Sequence, residues 1–163
     1  RDPGVVVALL MNRIVLTRGE GIFLRAGLLH AYISGLGVEI MAASDNVLRG
    51  GLTPKRIDVP ELLSVLDAAP GLVPVLRPEA SGAVTSYPVD VPDFALRRVV
   101  LDGDPVAIEV TGPAMVLSTA GEIVVTAAAD SISVPAGRAA FASVEERMLT
   151  LTGAGEAFVA QPG

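Results

Sequence analysis

The chain has 163 residues, a formal net charge of -6 at pH 7 and no cysteine. The lack of cysteine excludes disulfide bonds and fits a reducing cytoplasm, and the acidic balance without any basic run argues against a nucleic-acid partner. No apolar stretch reaches the ~20 residues needed to cross a bilayer, so no membrane partner is expected. Hydrophobic residues make up 51% of the chain and aromatic residues only 4%, so the core must be built from Val, Leu, Ala and Ile.

The first 24 residues contain two strand-like runs. Residues 5–16 are mostly apolar, with Asn12 and Arg13 interrupting them, and they predict a strand over about residues 9–16. Segment 17–21 carries two glycines and turns the chain. Residues 22–24 then predict a second, shorter strand.

Residues 26–55 hold the only histidine and the only lysine of the chain. Within them, runs 28–33 and 38–43 predict a hairpin, because Gly35 and Gly37 supply the tight connection. In that hairpin His30, Tyr32 and Glu39 share one face, and the opposite face is apolar. A half-exposed strand pair with a polar outer surface is the alternative interpretation.

The loop after this predicted hairpin favours a binding site. It contains Ser44, Asp45 and Asn46, and then Arg49 followed by two glycines. Glycines let a backbone approach a ligand closely, and arginine offers two parallel donors to an oxyanion. Lys55 is the sole lysine beside 11 arginines, which suggests proton transfer or a point contact to phosphate, although chance retention also explains it.

A short helix follows and leads into an extended segment. Asp58 is a typical N-cap, Pro60 suits the first turn, and Glu61 completes a capping-box pattern, so a helix is predicted from Asp58 to about Ala69. Residues 71–92 are rich in proline and predict a connector. From there on, Gly, Pro and Asp separate short apolar runs at the spacing of a β-sandwich or barrel; the predicted strands are 94–101, 106–110, 114–118, 122–127, 131–134, 139–143, 148–152 and 156–160.

An internal repeat links the two halves of the chain. Residues 20–27 and 130–137 follow the same plan of acid, small residue, isoleucine and a closing Ala-Gly. The position of His30 is occupied by Ala140 in the second copy, within the repeat that spans residues 129–142. Two related units are therefore expected, and only the first carries candidate metal chemistry. The second is expected to be structural, although such a unit could still hold a small molecule.

Three segments, 21–32, 38–55 and 57–67, resemble consecutive signatures of the type I mannose-6-phosphate isomerases, which are zinc-dependent enzymes of the cupin superfamily. Arg25 stands where that family usually has proline, and Arg56 where it often has histidine. The resemblance implies an all-β fold of cupin-type jelly rolls, a partial first cupin and a complete second one with one short α-helix between them. The implied domains are 1–57 for the carboxy-terminal part of the catalytic cupin, 58–92 for the helix and connector, and 93–163 for the second cupin, which lacks a metal.

The resemblance also implies an activity, the reversible interconversion of mannose 6-phosphate and fructose 6-phosphate through an enediolate. His30 matches the family's zinc ligand, Glu39 and Arg49 match active-site positions, and Lys55 and Tyr32 are further catalytic candidates. Arg49, Lys55 and Asn46 are candidates for binding the phosphorylated hexose. Each retains a structural alternative: Glu39 as an arginine-paired carboxylate, Arg49 as a loop brace to Asp45, and Tyr32 as filler of the barrel mouth.

Members of this family have a long amino-terminal portion that completes the zinc site, so this chain is expected to be a carboxy-terminal piece. A non-catalytic cupin binding or interaction module, inactive in isolation, is the competing hypothesis. A partial jelly roll exposes strand edges, and a homodimer formed by strand exchange is therefore expected. The competing outcome is a monomer in which the first sixty residues fold back onto the second cupin.

Overall fold

The computed structural model describes residues 2–44, 46–128 and 130–163. The chain divides into two compact units: the first comprises Arg1–Gly37 and Ala43–Leu76, and the second comprises Val38–Ala42 and Arg77–Gly163. The domain limits inferred from the sequence stay a prediction. In chain order the elements are α1 Gly4–Leu10, β1 Gly21–Ile22, α2 Val59–Val65, β2 Val75–Leu76, β3 Ala80–Ser81, β4 Val84–Ser86, β5 Ala95–Asp102, β6 Val106–Glu109, β7 Ala114–Ala127, β8 Asp130–Pro135, β9 Ala139–Ala142 and β10 Met148–Gln161.

The second unit is one antiparallel sheet folded on itself. Its strands follow the order β3-β4-β5-β10-β7-β8, with β6 paired to β10 and β9 paired to β7. Strands β7 and β10 have 14 residues each, because each joins two of the predicted strands into one continuous strand. The first half of β10 pairs with β6 and its second half with β5. The first half of β7 pairs with β9 and its second half with β8. The register between β7 and β10 shifts between Glu156 and Ala157.

The core of the second unit lies between these two parts of the sheet. Alternate residues of the strands are buried, as the period-two pattern predicts, and most of them are valine, leucine, isoleucine or alanine. The hydrophobic residues that are at most 2% exposed are Val99, Ile108, Val110, Ala114, Val116, Ile123, Val134, Leu149, Leu151, Ala157 and Val159. The all-β class and the aliphatic core are thereby confirmed, whereas the jelly-roll detail stays a prediction.

A charged pair is buried at the register shift of β10. The Arg98 side chain is 17% exposed and that of Glu156 is 11% exposed, and Arg98 Nε donates to Glu156 Oε2 at 2.6 Å. Thr119 Oγ donates to the other carboxylate oxygen at 2.8 Å. Burial raises the pKa of the neighbouring Tyr87, an effect that the charge of Arg98 opposes and that of Glu156 reinforces. Each oxygen of the Glu156 carboxylate therefore accepts a hydrogen bond, one from Arg98 and one from Thr119.

The first unit departs most from the predicted elements. The predicted strand over residues 9–16 is wrong: residues Gly4–Leu10 form α1 and the chain then continues without a strand. A short apolar run does not distinguish a helix from a buried strand, and here Asp2 and Pro3 precede the run and favour a helix start. The described residues therefore form two short helices, where the sequence predicted one.

The predicted hairpin is also absent. Throughout segment 28–43, all of which the structure describes, no residue belongs to a strand. Because neither run 28–33 nor run 38–43 contains a strand residue, the two predicted arms do not form a ladder. A strand needs a hydrogen-bonded neighbour, and alternating polarity cannot supply one.

The helix prediction is largely confirmed. The Asp58 carboxylate accepts a hydrogen bond from the Glu61 N–H at 3.2 Å, as an N-cap should. The helix ends at Val65, before the predicted end near Ala69, because Leu66 is already extended. Residues 77–92 of the predicted connector contribute β3 and β4 to the second sheet, β4 pairing with β5. No helix in the described part of the chain is long and apolar enough to cross a membrane.

The internal repeat is visible in two matching turns. In the first copy the Leu28 N–H donates to the Arg25 carbonyl at 3.3 Å, and in the second the Arg138 N–H donates to the Pro135 carbonyl at 3.0 Å. The glycine at the third position of each turn has a positive φ, 86° at Gly27 and 81° at Gly137. The related sequences thus form the same local turn. The predicted repeat also includes Ala129, which lies outside the described residues.

Candidate functional site

The turn before His30 is attached to the end of α2. The Asp67 N–H donates to the Gly27 carbonyl at 3.0 Å, and the Arg25 guanidinium forms an ion pair with the Asp67 carboxylate. The second oxygen of that carboxylate accepts from the Ala69 N–H at 3.0 Å. The Arg25 side chain thus connects the turn to the end of α2 through Asp67.

These contacts make Asp67 a more acidic group than an ordinary aspartate. Its pKa is lowered mainly by the Ala69 N–H and further by the hydrogen bond and charge of Arg25, against a small opposing effect of burial. A lowered pKa means that the carboxylate stabilises the fold above the ordinary aspartate pKa, and that this contribution is lost as pH falls through the native value.

Asp67→Asn is expected to lower the thermal midpoint of the first unit by about 1–3 °C at pH 7, since an exposed pair contributes little. The difference from the parent chain should shrink as pH falls below about 3.9, because the carboxylate of the unfolded chain is protonated there first and the native one follows at its lowered pKa. Thermal denaturation followed by circular dichroism from pH 7 to pH 2.5 measures this. Asp104→Asn, a change in the turn between β5 and β6, is the control, and a pH-independent difference would contradict the assignment.

The imidazole of His30 is exposed and oriented by local contacts. Its Nδ1 lies 3.3 Å from the Leu28 carbonyl oxygen, so a ring protonated at Nδ1 donates there and leaves Nε2 open to a ligand. The ring of Tyr32 meets it edge to face, with ring centroids 5.9 Å apart and planes at 66°. The two side chains are neighbours because extended backbone places residues two apart on the same side.

The loop that carries Arg49 packs beside the His30 segment. Leu29 contacts Gly50 so closely that a Cβ on Gly50 would lie 2.5 Å from Leu29 Cδ1. Arg49 itself is exposed. The first unit therefore brings the histidine segment and the arginine loop side by side through their immediate neighbours in sequence.

The other predicted residues are distributed over both units. All six site candidates are exposed: His30, Tyr32, Glu39, Asn46, Arg49 and Lys55. Glu39 lies in Val38–Ala42, which groups with the second unit, and the other five belong to the first. The shared strand face predicted for His30, Tyr32 and Glu39 does not form, because no ladder aligns them. The proposed Arg49 brace involves Asp45, which lies outside the described residues.

The residues present do not make a zinc site by themselves. Among residues 2–44, 46–128 and 130–163, no three His, Cys, Asp or Glu side chains are placed to share a metal ion. A catalytic zinc site generally uses three protein ligands, and His30 offers one. Any zinc chemistry would therefore need donors from elsewhere.

Two carboxylates near the site were missed by sequence reasoning. Asp67 holds the turn before His30, and Asp2 accepts from the Leu52 N–H at 2.7 Å, two residues beyond Gly50. The signal for Asp2 was available in its position before Pro3 and Gly4, a typical helix-start pattern. Asp67 gave no comparable signal, because the partners that connect it to the turn, Gly27 and Arg25, lie 40 and 42 residues away in sequence.

A cavity lies in the second unit, and none of the predicted site residues lines it. Its volume is about 280 Å³, and it is lined by the repeat position Ala140 and by residues that include Val116, Asp130, Glu146 and Leu149. Part of the lining is apolar, and Asp130 of β8 and Glu146, in the segment between β9 and β10, add carboxylates to it. It contains none of the six site candidates.

Comparison with curated proteins identifies close relatives. The mannose-6-phosphate isomerase of Escherichia coli (strain K12) is 35% identical over 156 residues, which cover 94% of this chain and 40% of that protein. The mannose-6-phosphate isomerase of Bos taurus is 35% identical over 144 residues, covering 85% of this chain and 33% of the bovine protein. The chain thus spans about 40% of the length of its bacterial relative. No family model matches it.

Solved structures that resemble this chain are also phosphomannose isomerases. A crystal structure of a mutant phosphomannose isomerase from Salmonella typhimurium superposes with a TM-score of 0.66 at 31% identity, over 74% of this chain and 32% of the other. Another mutant of the same enzyme gives a TM-score of 0.65 over 72% of this chain and 31% of the other. Over the length that it shares with these longer proteins, the chain belongs to the mannose-6-phosphate isomerase family.

Proposed function

We propose that this chain is part of a zinc-dependent mannose-6-phosphate isomerase that interconverts mannose 6-phosphate and fructose 6-phosphate through an enediolate in the cytoplasm. The observation that carries the proposal is the 35% identity over 94% of the chain to an enzyme of that name. The alignment includes nearly the whole chain, so it is not a match to a single short motif. A phosphorylated hexose is the corresponding substrate.

His30 is proposed as one ligand of the zinc ion. The Nδ1 contact with the Leu28 carbonyl supports this role, because it fixes a tautomer whose Nε2 lone pair can coordinate a cation. When bound, zinc would polarise the sugar carbonyl. Since the described residues do not supply a full ligand set, the other ligands are proposed to come from outside this chain.

The remaining candidates divide the isomerisation among them. The reaction needs a base that moves a proton between adjacent carbons, a cation facing the developing enediolate oxygen, and a cation that holds the phosphate. Glu39 and Lys55 are proposed as proton-transfer groups, and Arg49 as the group at the oxyanion. Arg49, Lys55 and Asn46 are proposed to contact the sugar phosphate, with Tyr32 donating a hydrogen bond to the sugar. Exposure of all six in this chain leaves them accessible to a ligand.

A second candidate function is a non-catalytic cupin binding module. One observation favours it for the isolated chain: no three metal-ligating side chains cluster in the described ranges. The two functions are compatible if catalysis requires the rest of a longer protein. Homodimerisation stays a prediction, but its expected route by strand exchange loses its basis, since in residues 9–43 only Gly21–Ile22 forms a strand.

Two experiments on different proteins test the proposal. In the first, a chimera in which this chain replaces the matching part of the Escherichia coli enzyme is assayed for fructose 6-phosphate formation and zinc content. It should be active, and His30→Ala in the chimera should lower both zinc content and turnover, since one ligand is removed. In the second, the purified chain alone should show no turnover and hold less than one zinc ion.

The outcomes separate the two candidate functions. A folded chimera without activity, with the unmodified Escherichia coli enzyme as the positive control, would contradict the isomerase proposal and favour the binding module. Retention of full zinc and activity in the His30→Ala chimera would remove His30 from the site. Stoichiometric zinc on the isolated chain would show that His30 finds its other ligands within this chain.

A further inference from the structure

The backbone of the arginine loop is attached to the start of α1 by one carboxylate. Asp2 Oδ1 accepts from the Gly4 N–H at 2.8 Å, and Asp2 Oδ2 accepts from the Leu52 N–H at 2.7 Å. Each oxygen therefore accepts from a different segment, and Leu52 lies 50 residues from Asp2 in sequence. Hydrogen bonds to an ionised carboxylate are stronger than those to a neutral acceptor.

The same junction contains a close approach of two glycines. A Cβ built on Gly4 would lie 2.9 Å from Gly51 Cα, and one built on Gly51 would lie 2.7 Å from Gly4 Cα. Both obstacles are backbone atoms, which cannot rotate away as a side chain can. The contact therefore requires glycine on both sides, and it brings α1 directly against the loop.

The loop is held in a conformation that it would not adopt alone. Leu52 has φ of 53° and Gly51 has φ of 144°, and the left-handed region is unfavourable for leucine. Such a residue persists only where its surroundings compensate. The hydrogen bond from the Leu52 N–H to Asp2 supplies that compensation on one side of the loop, and the Leu29 contact with Gly50 closes the other side.

We propose that Asp2 is a positioning residue, which holds the loop of residues 49–52 so that Arg49 faces the substrate beside His30. The inference rests on the proposed role of Arg49 in the isomerase. Asp2 touches no substrate in this proposal. Its carboxylate keeps Leu52 in the left-handed conformation, and that conformation sets the direction in which the loop presents Arg49.

The first test measures the junction itself in the intact chain. Asp2→Ala should raise the hydrogen-exchange rate of the Leu52 amide about tenfold or more, because its acceptor is lost. Asp58→Ala is the matched control: it also removes a carboxylate that accepts from a helix-start N–H, but it lies at α2 and should leave Leu52 exchange within about twofold of the parent. An unchanged Leu52 rate in Asp2→Ala would overturn the proposal.

The second test measures the consequence for catalysis in the chimera. Asp2→Ala should lower kcat about tenfold with little change in KM, because a misdirected arginine stabilises the transition state less well. Asp58→Ala should leave both constants near those of the parent chimera. Faster Leu52 exchange with an unchanged kcat would show that Asp2 only stabilises the fold, and would overturn the positioning role.

A third variant separates this inference from the proposed function. Gly51→Ala breaks the same junction by a clash with the Gly4 backbone and keeps the Asp2 carboxylate, which would lie 3.3 Å from the added Cβ, so it should raise Leu52 exchange and lower kcat in the same direction as Asp2→Ala. If the parent chimera is inactive, the isomerase proposal fails, whereas the exchange measurement on the chain still decides whether Asp2 holds the loop. Normal Leu52 exchange in both Asp2→Ala and Gly51→Ala would refute the junction regardless of activity.

Discussion

Gly121→Ala is expected to destabilise the second unit by about 3–5 kcal/mol, enough to unfold it at moderate urea concentration. A Cβ on Gly121 would lie 2.0 Å from the Ala154 carbonyl oxygen and 2.9 Å from Gly155 Cα. Both are backbone atoms of the paired strand, and Gly121 has φ of 73°. The added methyl group can be accommodated only if β7 and β10 separate where both strands bend.

Gly137→Ala provides a matched control for that effect. Gly137 has nearly the same φ, 81°, but a Cβ there would meet no atom within 4 Å. It should therefore cost only the conformational penalty of about 1–2 kcal/mol. Urea unfolding followed by far-ultraviolet circular dichroism measures both. Equal losses for the two variants would show that the close approach of β7 to β10 contributes nothing beyond backbone conformation.

Arg49→Lys in the chimera is expected to lower kcat by about 10²- to 10³-fold while leaving the thermal midpoint unchanged within about 1 °C. Lysine keeps the positive charge but loses the planar pair of donors that matches an oxyanion. Stability should not change, because the Arg49 side chain is exposed. Steady-state kinetics and thermal denaturation on the same preparation measure the two effects.

Arg13→Lys is the control for that substitution, since Arg13 is an exposed arginine of the same unit outside the proposed site. It should change neither turnover nor stability. A fall in stability that matches the fall in turnover would identify Arg49 as a structural brace. An undiminished kcat in Arg49→Lys would remove its guanidinium from the chemistry and leave charge alone as its contribution.

The sequence pattern was sufficient to predict the strands and helix ends whose stabilising contacts are close in sequence. In the second unit, alternating apolar residues end at glycine, proline and aspartate turns, so β5, β6, β8 and β9 lie where the pattern places them. The start of α2 was likewise predictable, because Asp58 caps it through Glu61, three residues away. In each case the deciding interactions are local or follow a strict period.

The candidate site was predictable only as a set of residue types. The resemblance to the mannose-6-phosphate isomerases singled out His30, Glu39 and Arg49. The relatives found by comparison belong to that same family. Their arrangement was not predictable, because it depends on contacts between distant segments: Asp67 with Gly27, Asp2 with Leu52, and Leu29 with Gly50. None of these pairs leaves a periodic mark in the sequence.

The sequence by itself determined the family, the all-β class, the aliphatic core and the start of the second helix. The tertiary structure alone decided that residues 4–10 form a helix, that residues 28–43 form no hairpin, and that four predicted strands join into the two long strands β7 and β10. The physical reason is that hydrophobic pattern specifies which side chains seek burial, whereas helix, strand or extended loop is chosen by the partner that each segment meets. At Gly121 and Gly155 that partner is the facing backbone, and only the folded sheet shows how closely it approaches.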